Sequence, residues 1–280
     1  MAVSNDTRER VKTVGRHVIL MGYAVISLFP IYWIFTISLR TGNNAISIPP
    51  EFIFVPDFGN YVTLLSDDTF VETLFNSVVS VTSSVLLVLA IGVPAAYAIS
   101  RYDFPREPDI LVWILSTRML PPVAVVIPFF ILFRQFNLYD TITGLTLMYI
   151  TINISIVVWV MKAIFDNLPP SLEEAAMIDG ATRFQAFVKV VLPSAKAGIM
   201  ASAVISFIFA WIDLLFALVL TSSNAATAPL YVYSFIGSRQ IEWGMLAAAS
   251  TAVFIPVLVF IVLMNRYLAT GLSFGVAAGD

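Results

Sequence analysis

Six runs of 21 to 28 residues pass through this chain almost without charge: 18–39, 73–100, 110–133, 141–161, 197–220 and 243–265. Only Arg118 in the third and Asp213 in the fifth interrupt them. A helix crossing a roughly 30 Å hydrocarbon layer needs about 20 apolar residues. In lipid, runs this continuous satisfy their backbone as helices, whereas barrel strands would alternate. The chain therefore reads as an all-α integral membrane protein with six transmembrane helices. Its charge content agrees, because 12% charged residues could not cover a soluble surface, which averages about 25%. The first run is too long for a signal-peptide core and no small-residue cleavage site follows it, so it reads as an uncleaved span.

Lys and Arg in the short loops set the orientation. With the N-terminus inside, eleven of the 15 basic residues are cytoplasmic, and only Arg40, Arg134 and Arg239 lie outside. Both termini are then cytoplasmic: residues 1–17 precede a six-span domain over 18–265, and 266–280 form a tail. The two large outer loops are 40–72, acidic and broken by Pro49, Pro50 and Pro56, and 221–242. The second begins with small residues that read as flexible, then reaches Pro229 and an apolar stretch, 230–236, that suits a short surface helix.

Several function classes fall away. There is no Cys, and His17 is the only His, so disulfides, metal knuckles, thiol nucleophiles and His-based triads are excluded and no metal site is expected. A net charge of −3 leaves no basic surplus for nucleic acid. No G-x-x-x-x-G-K-[ST] loop is present, so the chain is not expected to hydrolyse ATP. A stand-alone secondary transporter or channel remains the alternative, but it would want several intramembrane carboxylates or inverted repeats. An intramembrane enzyme would have one span carboxylate to work with.

The inner loop, 166–196, is the most specific segment. Pro169 and Pro170 stop the preceding helix, and Ser171 stands three residues before Glu174, a capping-box spacing. A short helix over 172–178 follows, with Glu173 and Glu174 at its positive end. Asp179 and Gly180 close it, since Gly tolerates a left-handed turn. Thr182 and Gln185 form a second capping box, opening another short helix that Leu192 and Pro193 are expected to end. Ala175, Ala176 and Ala181 leave a bare surface that another protein can approach.

Glu174-Ala175-Ala176, then Gly180, then Val190-Val191-Leu192-Pro193 resembles the E-A-A…G…I-x-L-P signature of the permease subunits of bacterial binding-protein-dependent ABC importers, with Val190 where Ile is usual. The stretch from Trp211 to Leu218, the Tyr233-Ser234-Phe235-Ile236 segment and the ending Arg266-Tyr267-Leu268…Gly271-Leu272-Ser273-x-Gly275 are similar to the maltose-type carbohydrate branch. The tail lacks the Lys usual before the final Gly.

The resemblance implies a type I importer architecture in the bacterial inner membrane, working by alternating access on a sugar or sugar derivative. A polyol, an anionic sugar or a glycoside is equally compatible. It implies two ATPase subunits that carry ATP and Mg, with no cofactor on this chain. It also implies a second homologous permease (or a second copy of this one) and a periplasmic binding protein. Carried onto this sequence, the ATPase-coupling residues are Glu173, Glu174, Ala175, Ala176, Asp179, Gly180, Ala181, Leu192 and Pro193. Ser223, Asn224, Thr227 and Pro229 are the expected binding-protein contacts.

For the translocation path the candidates are Arg118, Asp213, Asn153 and Trp211. A charge inside a span costs at least about 2.5 kcal/mol and usually faces a bundle interior or a wet path. Arg118 has three possible partners: Asp213, carbonyls freed by Pro121 and Pro122, or the cargo itself. In straight spans Asp213 would lie nearer the outer side than Arg118. Asn153 is expected to hydrogen-bond between helices. Pro121, Pro122 and Pro128 are expected to break or kink the third span.

Overall fold

A computed structural model describes residues 2–40, 45, 47, 49, 51–237 and 241–276, with side chains between 12 and 264. Arg239 and residues 277–280 of the tail lie outside the described residues, as do the side chains of Arg266–Gly275. Among the described residues every regular element is helical. The chain begins with α1 (Ala2–Ser38), the short α2 (Gly59–Leu65) and α3 (Asp68–Arg101). The third run becomes α4 (Glu107–Met119) and α5 (Pro122–Gln135), and the fourth α6 (Ile142–Asp166). The inner loop forms α7 (Ser171–Ile178), α8 (Arg183–Ala186), a π turn over Phe187–Val191 and α9 (Leu192–Ser194). Then come α10 (Lys196–Trp211), α11 (Leu215–Leu220), α12 (Ala228–Ser234) and α13 (Trp243–Val276).

Four segments are long and apolar enough to cross a membrane unbroken: Lys12–Ser38, Asp68–Arg101, Ile142–Asp166 and Trp243–Met264. The third and fifth runs are not straight helices. α4 and α5 meet at 92°. Pro121 and Pro122 push the residue before each of them out of the helical region, and Leu120 and Pro121 both adopt extended ψ values, 128° and 124°. Pro128 leaves α5 unbroken. Pro193 does not end the inner-loop helix. Helical backbone runs through it from Arg183 to Ser194, and the turn comes at Ala195, with a 72° bend into α10. The fifth run breaks again at Ile212–Leu214, before α11.

The chain divides into two compact units. One comprises Met1–Asp67 and Phe235–Ala252. There Asn60 Nδ2 donates to the carbonyls of Ser38 (3.0 Å) and Arg40 (2.8 Å), satisfying the end of α1, and Asp57 Oδ1 accepts from the Gly59 N–H to open α2. Gly244 packs directly on the Arg40 carbonyl, where any Cβ would clash with backbone.

The other unit comprises Asp68–Ser234 and Val253–Asp280, and its centre is the packing of α3, α6 and α10. Close approach depends on small residues, the usual device where lipid offers no hydrophobic drive. A Cβ on Gly92 of α3 would lie 2.7 Å from Val157 Cγ1 on α6, and Gly198 of α10 faces Ile164 in the same way. Ser80 and Ser84, fully buried in α3, return their hydroxyls to the carbonyls of Asn76 and Val81 at 2.7 Å.

Candidate functional sites

α7 ends through purely local chemistry. Gly180 takes φ 91°, and its N–H donates to Met177 O (3.1 Å) while the Ala181 N–H donates to Ala176 O (3.0 Å). This pair of bonds defines a Schellman turn. Thr182 and Gln185 then exchange both bonds of the expected capping box, at 3.3 and 2.9 Å, to open α8. The first expected box does not form. Ser171 is already helical, Pro170 holds the N-cap position, and no side chain caps α7.

The inner-loop candidates divide by exposure. Glu174, Ala175, Asp179, Gly180 and Pro193 are exposed, and Ala176, Ala181 and Leu192 half-buried. Glu173 is the exception, buried at 7% exposure against α3, so it cannot belong to a surface offered to a partner. Sequence reasoning passed over Ile178 and Phe184, which stand 86% and 74% exposed beside the Gly180 turn. Two large apolar side chains in a loop rich in charge were the available signal, since such residues seek cover.

A cavity of about 610 Å³ lies among α4, α5, α6, α10 and the α10–α11 break, with Arg118 and Asp213 both on its wall. Two chain breaks bring these charges to one chamber: the one expected at Pro121–Pro122, and a second at Ile212–Leu214 that the sequence reading did not include. Arg118, in the last turn of α4, donates from Nη1 to Ile152 O (2.8 Å), and its guanidinium carbon lies 4.6 Å from the Phe209 ring centre. Among the described residues the recorded ion pairs do not join Arg118 to Asp213. Asp213 instead accepts from the Ala217 N–H at 3.2 Å, capping α11. Thr117, Thr151, Phe129 and Phe216 complete much of the lining.

Asn153 and Trp211 do not line this cavity. Asn153 is buried and donates to Tyr149 O of its own helix, with Oδ1 unpartnered, rather than bridging helices. Trp211 is buried against Phe207, its indole N–H on Val253 O (3.1 Å). Among the described residues no three His, Asp or Glu side chains gather as a metal site.

The outer loop after α11 is small-residue chain, yet it is held in one shape. Asp140, itself left-handed at φ 56°, accepts from the N–H groups of Ser222, Ser223, Asn224 and Ala225 and from Asn224 Nδ2 (2.8–3.3 Å). From the other side Asn76 Nδ2 donates to the carbonyls of Asn224 (3.0 Å) and Ala226 (3.2 Å), and Ser77 Oγ accepts from the Ala228 N–H. Ser223 and Asn224 stay exposed, Pro229 is half-buried, and Thr227 is buried at 2% exposure, out of a partner's reach.

Partial burial opposes charge on Asp140, but the four backbone donors outweigh it and hold the carboxyl below the usual carboxylate range. A carboxyl depressed on folding stabilises above its unfolded pKa, near 3.9. That contribution is lost as pH falls through the lower folded value. Hydrogen exchange at residues 222–225 should therefore stay slow and level, in free-energy terms, from pH 7 to about pH 4, and loosen only below that. Asp140→Asn should loosen it by about 1–2 kcal/mol wherever the parent carboxyl is charged, after allowing for solvent screening, and the difference should close at the lowest pH. Unchanged protection in that variant would show that the carboxylate is not the pin.

The chain belongs to the family of binding-protein-dependent transport system inner membrane components, whose model matches residues 88–273. It is thus a multi-pass transport permease of the inner membrane. It is 35% identical to the probable ABC transporter permease protein y4oR of Sinorhizobium fredii, covering 98% of this chain and 99% of that one. It is 37% identical to the trehalose transport system permease protein SugB of Mycobacterium tuberculosis, covering 93% and 95%. Its fold is similar to a chain of a bacterial ABC transporter involved in the import of the acidic polysaccharide alginate. The TM-score there is 0.73 at 24% identity, covering 92% of this chain and 97% of that one.

Proposed function

We propose that this chain is the six-span subunit, both termini cytoplasmic, of an ATP-driven importer that receives a sugar from a periplasmic binding protein. ATP and Mg belong to two separate ATPase subunits. A second permease, homologous or identical, completes the pathway. The observation that carries this reading is the surface around Gly180: Glu174, Ala175, Ile178 and Phe184 are exposed together on two capped helices whose opposite side is packed. That surface suits a groove on an ATPase. At the outer side, the pinned backbone of 222–226 suits docking by the binding protein, with Ser223 and Asn224 as contacts.

The cavity supports a neutral, hydroxyl-rich cargo. One cation and one anion face it, beside Phe129, Phe209 and Phe216. Hydroxyls can accept from Arg118 and donate to Asp213 while a sugar face lies on a ring. The relative named for trehalose transport agrees with such a cargo.

The chain has no Cys, so single-Cys variants give a clean test. A Cys at Glu174 should react with a membrane-impermeant thiol reagent only from the inner side, and at least tenfold more slowly once the ATPase is assembled. A Cys at Ser223 should react only from outside. Reaction of the Glu174→Cys variant from outside would overturn the topology, and no protection by the ATPase would overturn the coupling role.

A further inference from the structure

The inner end of α3 carries two side chains that the transport reading does not use, and both end on Glu173. Tyr97 Oη donates to Glu173 Oε2 at 2.6 Å, and Arg101 Nε donates to Oε1 at 2.6 Å. Arg101 Nη2 reaches on to the Leu168 carbonyl at 2.9 Å, gripping the linker between α6 and α7. The ion pair is shielded, with side chains 11% and 9% exposed. The Tyr97 ring lies against Phe165 of α6 (5.7 Å) and Phe187 of the π turn (4.4 Å). Beside this cluster, Ser100 donates to Asp166 Oδ1 (2.6 Å), and Lys162 bridges Asp166 and Glu107 at 2.8 and 3.1 Å.

A short covalent linker alone would let α7 swing about its end. A second attachment at Glu173 removes that freedom, because a carboxylate held through both oxygens fixes direction as well as distance.

The opposite end of the same helix is also bonded. Asn76 and Ser77 hold the outer loop at Asn224, Ala226 and Ala228. Asn76 and Tyr97 stand 21 residues apart on α3, about 31 Å at the helical rise. Pro94 lies within α3, which nevertheless runs unbroken to Arg101. Along its length α3 is packed closely on α6, with Gly92 against Val157.

We infer that α3 is a transmission rod between the two docking surfaces, with Glu173, Arg101 and Tyr97 as the latch at its inner end and Asn76 and Ser77 as the latch at its outer end. The inference rests on the reading of α7 as the ATPase contact. Displacement of α7 by the ATPase pulls on α3 through the Glu173 carboxylate, and α3 shifts the loop that meets the binding protein. Glu173 is a positioning residue, since it acts through Tyr97 and Arg101.

The test uses the whole complex, isolated on a tag carried by this chain, with a fluorophore on Ser223→Cys and ATP-Mg plus orthovanadate as the probe. Trapping the nucleotide should shift the outer-loop signal in the parent complex. In Glu173→Gln or Arg101→Lys the ATPase should stay bound and trap nucleotide as before, while the outer-loop shift falls at least fivefold. Combining Glu173→Gln with Asn76→Ala should reduce the shift no further than the more severe single variant, because one broken latch already disconnects the rod. A full shift in both single variants overturns the inference. So does a double variant whose losses multiply, or loss of assembly in both single variants, which would make the cluster a folding element only. Glu174→Lys, on the exposed face, separates the premise: unchanged ATPase affinity in that variant defeats the coupling reading itself, whatever the latch variants do.

Discussion

A valine at Gly180 is expected to lower uptake by tenfold or more in a chain that reaches the membrane in normal amount, while an asparagine there keeps most of it. Gly180 has φ 91°, and a Cβ built on it would meet nothing within 4 Å. The cost of a side chain is therefore backbone strain and not a clash inside this chain. Left-handed geometry costs an ordinary L-residue about 1–2 kcal/mol, more for a β-branched one and less for Asn. Valine would drive φ negative and break the bonds to Met177 and Ala176. α8 would then turn relative to α7, parting Phe184 from Ile178 and Glu174. Uptake by the reconstituted complex, normalised to surface amount, is the measurement. Normal uptake with valine would sink the idea that the turn sets the docking surface. Failure of asparagine as well as valine would show that the open space at Gly180 is filled by the partner.

The second large effect is expected at Arg118. Replacing it by Gln should leave the complex assembled and reduce uptake of a neutral sugar cargo at least tenfold. Arg118 is exposed to the cavity, and among the described residues the Ile152 carbonyl and the Phe209 ring hold it, so the surrounding helices lose little without it. Lysine should rescue poorly, because a point charge cannot lie flat on Phe209 and donate sideways at once. Asp213→Asn keeps an oxygen for the Ala217 N–H, so α11 stays capped. Its uptake loss for a neutral sugar should be smaller, about two- to fivefold. For an anionic sugar the same change should help, since it removes a like charge from the wall. Full uptake by Arg118→Gln, with assembly intact, rejects cargo contact by this residue and leaves it as a helix-end cation resting on a ring.

Much of the helical framework and of the inner loop is legible in the order of residues, and the legible part has one physical character. Apolar runs long enough to span lipid, the Thr182–Gln185 box and the left-handed Gly180 are set by neighbours within a few residues. Their energetics do not depend on where the rest of the chain goes. Pro121 and Pro122 belong here too, because the restriction before a proline is local, although the 92° angle it produces between α4 and α5 is a property of the folded chain. The Ser171 box fails for an equally local reason: Pro170 already occupies the cap position.

Residue order is thus enough to place this chain in a membrane as apolar helices and to give it a two-helix inner loop of a particular spacing. Which of two adjacent glutamates faces outward is settled only by tertiary packing. Glu173 and Glu174 are equivalent in composition, and only Tyr97 and Arg101, 76 and 72 residues earlier, draw one of them inside. Packing also puts Arg118 and Asp213 in one chamber, because the bend after α4 and the break before α11 let residues of separate runs face the same cavity. The outer loop is pinned and not slack for a similar reason, since the carboxylate that holds it, Asp140, lies 82 residues before Ser222. A loop's composition reports the freedom of its own backbone. Whether that freedom survives depends on donors and acceptors brought from far along the chain, and that pairing exists only once the helices have packed.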